Sequence, residues 1–171
     1  GTTYFNSAQL RYKGILADAS YRTNTDFLGK GSRMSFRITY QYLDTLSTQS
    51  TAGAALTQTA DSIGYSRHKG VGTVGYETGG FNAQVQVNYQ SGVSVDTNPG
   101  NLIYSVPRVG SFTYVNLSLS QNVGRNFTLS ADVDNLFNAR PPFPFPASGG
   151  VNPYFQGVIG TYVRVGASVH F

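Results

Sequence analysis

Cysteine is absent from this chain of 171 residues, which removes any disulfide framework and any cysteine-bound zinc site from consideration. Charge is scarce as well. Only 12% of the residues are charged, against roughly 25% in an ordinary soluble domain. The 12 basic residues outnumber the 8 acidic ones, for a net charge of +4, but they are scattered. No basic run is interleaved with aromatics in the manner of nucleic-acid binders, so nucleic acid is not an expected partner. No apolar run reaches the roughly 18 residues of a membrane-crossing helix. Helical periodicity is almost missing. The opening Gly1-Thr2-Thr3-Tyr4 lacks the basic start and apolar stretch of a signal peptide. An exported protein needs such a signal, so the chain reads as mature or as a piece of something longer.

What is present is alternation with a period of two. Met34, Phe36, Ile38, Tyr40 and Tyr42 alternate with Ser35, Arg37, Thr39 and Gln41. Ala83, Val85, Val87 and Tyr89 alternate with Gln84, Gln86, Asn88 and Gln90. The same pattern runs through 115–120, 127–134 and 163–171. Seven strands are expected, near residues 8–21, 32–44, 67–77, 81–91, 111–121, 127–135 and 158–171. Their connections sort by parity: 22–31, 78–80 and 122–126 are short, whereas 45–66, 92–110 and 136–157 are long. Transmembrane barrels have this asymmetry, with short periplasmic turns and long extracellular loops.

The polar positions are Ser, Thr, Asn and Gln rather than Lys and Glu, which suits a wet barrel interior better than a solvated sheet. The fold class expected is therefore all-β, an antiparallel up-and-down transmembrane β-barrel. Aromatics near strand ends (Tyr21, Phe27, Tyr42, Tyr76, Phe81, Tyr89, Phe112, Tyr114, Phe127 and Phe137) are expected to form two interfacial girdles. An odd number of meandering strands closes on itself only through a parallel seam, and an open sheet in lipid leaves backbone groups unpaired. The whole of residues 1–171 is thus expected to be the C-terminal portion of a larger barrel.

Three segments carry a family resemblance. Arg164-Val165-Gly166-Ala167-Ser168-Val169-His170-Phe171 resembles the C-terminal signal of outer-membrane proteins, with Arg164, Gly166, Val169 and the terminal Phe171 at its marked positions. Ala131-Asp132-Val133-Asp134-Asn135-Leu136-Phe137-Asn138 resembles the penultimate-strand motif of TonB-dependent receptors, and Arg11-Tyr12-Lys13-Gly14-Ile15 resembles another recurrent stretch of their barrels. The resemblance implies about the last third of a barrel of about 22 strands in the bacterial outer membrane. It also implies partners: outer-membrane lipid, the remaining strands, a plug domain, the TonB complex acting through that absent part, and the barrel-assembly machinery. The implied activity is import of a scarce small-molecule nutrient, such as an iron chelate, a vitamin or an oligosaccharide. A passive porin or small structural barrel, and a soluble carbohydrate-binding β-domain, stay open as other readings.

No enzyme is expected, and neither a cofactor nor a metal. His68 and His170 lie at opposite ends of the wall. Asp132 and Asp134 share one face, where partners such as lumenal Arg or Ser are expected rather than catalysis. Asn135 is expected to cap backbone groups at a strand end, with Leu136 and Phe137 anchoring the loop. Candidate ligand contacts come from the long loops. Tyr104 and Arg108 flank the turn at Asn98-Pro99-Gly100-Asn101, while Arg140, Phe143 and Phe145 lie in a proline-stiffened stretch followed by Tyr154 and Phe155. Residues 45–66 read as a mobile loop.

Overall fold

A computed structural model describes residues 9–95, 106–142 and 155–169. Seven long strands form one antiparallel meander: β1 (Gln9–Asn24), β2 (Arg33–Gln49), β4 (His68–Thr78), β5 (Phe81–Gln90), β8 (Phe112–Val123), β9 (Phe127–Asp134) and β10 (Tyr162–Val169). Each pairs with its neighbour in sequence, so β1 and β10 are the two edges. Short strands sit outside this series. β3 (Thr57–Gln58) adds to the end of β2, and β6 (Val93–Ser94) pairs β7 (Arg108–Val109) as a separate ribbon. A 3-10 turn (Asp26–Leu28) and a short helix α1 (Phe155–Ile159) complete the elements.

The seven expected strands are all present. Three boundaries move by three residues or more, and the first is the end of β1, which runs to Asn24 and not to 21. β2 continues to Gln49, because Ser47 and Thr48 gain β3 as a partner on their free side. Of the expected loop 45–66, residues 45–49 and 57–58 are thereby paired as strand. The last strand starts at Tyr162, not near 158, because the preceding residues coil into α1. Loop parity holds: the turns after β1, β4 and β8 are short, and those after β2, β5 and β9 are long.

Register fixes the faces. Phe36, Val74, Val85, Leu117 and Val133 lie in one cross-strand row, and Arg37, Thr73, Gln86 and Asn116 lie in the next, on the opposite face. A trough of about 410 Å³ runs along the polar face, lined by Arg22, Arg33, Glu77, Asn82, Ser118 and Asp132 among others, and an apolar one of about 420 Å³ lies on the other face, between Tyr21, Phe36, Ile38, Val74 and Val85. The apolar face is open. Ile38 is 58% exposed and Val165 82%. The buried apolar residues are instead few and lie at the long-loop end: Leu43, Ala60, Val93, Val109 and Phe112. A soluble sandwich buries its apolar strand faces against a second sheet; among the described residues this sheet has none.

A membrane-crossing strand needs about 9–11 residues. β1 and β2, at 16 and 17 residues, overreach that length, and their excess lies at the long-loop end. A bulge between Lys13 and Gly14 marks where this extension begins, and the register slips past Asp44 there. Such bulges bend and twist a strand pair.

Candidate functional site

The polar face carries a cross-strand row of polar side chains. Asp18 of β1 accepts from Arg37 Nε at 3.1 Å, from Arg37 Nη2 at 3.0 Å and from Thr39 Oγ1 at 2.7 Å. At the other side of the sheet, Arg164 of β10 reaches Asp134 of β9 at 3.3 Å and lies over the Tyr162 ring, 5.9 Å from its centre. Between these ion pairs the wall is amide-rich. Gln86 Oε1 accepts from Asn88 Nδ2 and from Asn116 Nδ2, both at 3.4 Å. Asp134 thus has the lumenal Arg partner expected for the Asp132–Asp134 pair. Asp132 lines the charged trough with Arg22, Arg33 and Glu77.

Above the wall, the long loops close over a small apolar cluster. Val93, Val109 and Phe112 are buried together, with Ile63, Val95, Tyr114 and Ala139 packed on them. Phe112 and Tyr114 are tilted against each other at 5.5 Å. This corrects their expected place in an aromatic girdle. Phe112 pairs with Gln90 and Tyr114 with Asn88, which puts both rings on the polar face beneath the loops. Tyr21, Phe36 and Phe127 keep the outward placement, and Phe137 is 74% exposed at the long-loop end. On that outer face Tyr40 Oη and His68 Nδ1 are 2.6 Å apart.

Arg108 is held within this cap. Its Nη1 lies 3.2 Å from Asp61 Oδ2 and 3.1 Å from Ser94 Oγ, which itself lies 3.3 Å from the same carboxylate oxygen. The backbone agrees: Ser94 N donates to Asp61 O at 2.7 Å. The group therefore staples the loop after β2 to the loop after β5. Asp61 adopts φ +71°, an uncommon conformation for a non-glycine residue that the tight pairing around it holds in place. Neither Asp61 nor Ser94 stands out in sequence, since each is one short polar residue in a loop full of them.

The third long loop is organised by Asn135, which is fully buried with φ +51°. Its Nδ2 donates to Ala139 O at 3.0 Å and to Gln156 O at 3.1 Å, and its Oδ1 accepts from Ala139 N at 2.8 Å. Its own backbone N donates to Asn116 Oδ1 at 3.0 Å, and its carbonyl accepts from Thr161 Oγ1 at 2.8 Å. The capping expected of Asn135 is present and extends across β8, the loop and the entry to β10. Gly157 of α1 packs where a Cβ would meet Phe112 Cζ at 2.8 Å and Pro141 Cδ at 2.9 Å, so only glycine fits that contact without displacing a ring. Arg140 follows this knot and is exposed.

Of the other loop candidates, Phe155 opens α1, while Tyr104, Phe143, Phe145 and Tyr154 lie outside the described residues. In the terminal motif, Gly166 sits opposite Ser130, with space for a Cβ only 2.7 Å from Ser130 Oγ, and Val169 pairs Phe127 on the outward face. His170 and Phe171 are outside the described residues. The structure thus brings Arg108 into the cap and Arg164 into the wall, and leaves Arg140 exposed.

Beyond the part of β2 that faces the membrane, Lys13 Nζ lies 3.1 Å from Asp44. The Lys13 hydrogen bond and charge hold the Asp44 carboxyl below its ordinary range.

A family model described as TonB dependent receptor-like, beta-barrel matches residues 1–136. Comparison with curated proteins and with solved structures finds no match.

Proposed function

The chain belongs to the TonB-dependent receptor-like β-barrel family, and from that membership we propose that it is the C-terminal wall of an outer-membrane receptor that imports a scarce nutrient. The family is a transporter family of the bacterial outer membrane, not a catalytic one. The observation that carries the reading is an exposed apolar face backed by a polar one, on strands whose long loops all lie at one end. Lipid covers the first face, and the water-filled lumen with its plug covers the second. The remaining strands pair at the exposed edges of β1 and β10. Seven strands leave both edges running the same way, so an antiparallel complement has an odd number of strands and the whole barrel an even one, consistent with about 22. The long loops, with Tyr104, Arg108, Arg140, Phe143, Phe145, Tyr154 and Phe155 among their residues, capture the ligand. The terminal Arg164, Gly166, Val169 and Phe171 are read by the barrel-assembly machinery. Import then follows plug movement driven by the TonB complex.

The absence of cysteine from the chain makes topology directly testable. Ser50→Cys, in a long loop, is expected to react with a membrane-impermeant maleimide on intact cells. Arg125→Cys, in a short turn, is expected to react only after the outer membrane is permeabilised. Uptake of the cognate nutrient is expected to stop when the proton-motive force is collapsed, whereas a passive porin continues. Labelling of Arg125→Cys on intact cells, or uptake indifferent to energy, rejects the receptor reading.

A further inference from the structure

Residues 61–65 form a knuckle that closes on itself. Asp61 N donates to Tyr65 O at 2.9 Å and Tyr65 N to Ser62 O at 2.8 Å, with Asp61 and Gly64 both at positive φ. The chain on either side is pinned to the wall. Thr59 N donates to Leu46 O at 2.7 Å, and Arg67 O accepts from Leu43 N at 2.8 Å. Between those anchors the knuckle joins no strand of the large sheet.

A short set of ties holds it down. Ser94 N, in the loop after β5, donates to Asp61 O at 2.7 Å. Side chains add to that bond. Arg108 Nη1 and Ser94 Oγ lie 3.2 and 3.3 Å from Asp61 Oδ2, and Lys69 Nζ donates to Gly64 O at 3.3 Å. Ile63 packs on the cluster of Val93, Val109 and Phe112. The Arg108 side chain is 60% exposed, so salt screens its pairing with Asp61. A segment with few buried contacts and solvated polar ties opens locally at a small part of the cost of global unfolding.

Two of the groups under the knuckle also line a pocket. Lys69 and Phe112, with Val71, Asn88, Gln90 and Tyr114, border a space of about 180 Å³ at the long-loop end of the polar face. It is smaller than the roughly 300 Å³ at which pockets for whole ligands begin. Lifting the knuckle uncovers the Phe112 cluster and releases the ammonium of Lys69 and the guanidinium of Arg108. One movement thus enlarges the pocket and supplies it with cations.

We propose that residues 61–65 are a lid latched by Arg108 and Lys69, and that the pocket takes a whole ligand only when the latch opens. This rests on the receptor reading and adds the gating of its ligand site. A ligand holds the lid open by its greater affinity for the open form.

The test uses the full-length receptor in detergent. Val71→Cys places a thiol in the pocket wall of a chain that has no cysteine, and labelling is read against the receptor without it. A small methanethiosulfonate is compared with a bulky fluorescein maleimide, each corrected for its rate with free thiol. Adding Arg108→Ala is expected to speed the bulky reagent about three- to fivefold and to change the small one by less than about twofold. Raising salt from about 0.05 to about 0.5 M is expected to speed the bulky reagent with Arg108 present but not in Arg108→Ala. Thr73→Cys, on the same strand and face outside the pocket, is expected to show neither effect. The proposal is overturned if Arg108→Ala leaves the bulky reagent unchanged, if both reagents speed up alike, or if the bulky reagent enters as readily as the small one with Arg108 present. Should Val71→Cys fail to assemble, shown by loss of heat-modifiable gel mobility, Asn88→Cys reports on the same pocket by the same criteria. Failure of the receptor reading shows separately, as misplaced surface labelling or energy-independent uptake.

Discussion

Asn135 and Ala139 are joined by two hydrogen bonds between one side chain and one backbone unit: the amide nitrogen of Asn135 donates to Ala139 O, and its amide oxygen accepts from Ala139 N. The ring closes the first turn after β9 and leaves the second amide hydrogen for Gln156, four residues ahead of the glycine turn that feeds β10. One buried side chain therefore sets the shape of a long loop and the entry of the last strand.

Replacing it is expected to cost more than a loop substitution ordinarily does. Asn135→Ala leaves three backbone groups without their partner in a buried place and puts a Cβ residue at positive φ without the side-chain bonds that compensate. A loss of about 2–4 kcal/mol is expected, read by urea unfolding of the full-length receptor in liposomes. Asn135→Asp keeps the acceptor for Ala139 N and loses both donors, so it is expected to fall between the two. Equal stability of Asn135→Ala and the parent rejects the role assigned to this residue.

The two faces of β5 make opposite predictions for adjacent residues. Val85 lies on the apolar face and Gln86 on the polar one. Val85→Arg is expected to destabilise the folded barrel by about 2–4 kcal/mol in a bilayer. Gln86→Arg, one residue away, is expected to change stability far less, because its side chain stays in water. Unfolding titrations of both variants in the same liposomes measure the difference, and a reversed order inverts the assigned faces.

The staple between the loops is partly solvated, with the Arg108 side chain well exposed and Asp61 less so. Pairs of that kind contribute under about 1 kcal/mol. Arg108→Ala is therefore expected to leave global stability nearly unchanged while loosening the loop after β2. Faster hydrogen exchange at residues 61–65, with no change in the strands, is the expected signature. A double-mutant cycle with Asp61→Ala isolates the pair from the hydrogen bonds each residue makes elsewhere.

Asp44 gives the pH response. Its carboxyl is held below the ordinary value near 3.8, first by the Lys13 hydrogen bond and then by the Lys13 charge. A carboxylate that is more acidic when folded adds stability above its unfolded pKa, and that addition fades as pH falls through the folded value. The Lys13–Asp44 contact is thus expected to be intact at neutral pH and to open only in strong acid. Carboxyl carbon NMR of Asp44 is expected to titrate below an unpaired aspartate, and Lys13→Met to move it back upward.

Much of this protein is written in short stretches of its sequence. The alternation of Phe36, Ile38 and Tyr40 with Arg37 and Thr39, and of Val85 and Val87 with Gln86 and Asn88, specifies strands and both of their faces, because a strand repeats every two residues whatever lies around it. Gly79-Gly80 and Gly124 place two of the short turns, since positive φ there favours glycine. Asn135 could be named from its motif as a cap. Its partners Gln156 and Thr161 could not, being about twenty or more residues away along the chain.

The sequence by itself therefore determined the meander, the apolar and polar sides, the sorting of loops and the family. Tertiary structure alone decided that Phe112 and Tyr114 turn to the polar side beneath the loops, that Gln156 and Thr161 meet Asn135, and that Asp61 meets Ser94 and Arg108. The reason is the range of the forces involved. Periodicity is a local property of neighbouring residues, whereas loop packing depends on which distant segments the sheet brings together.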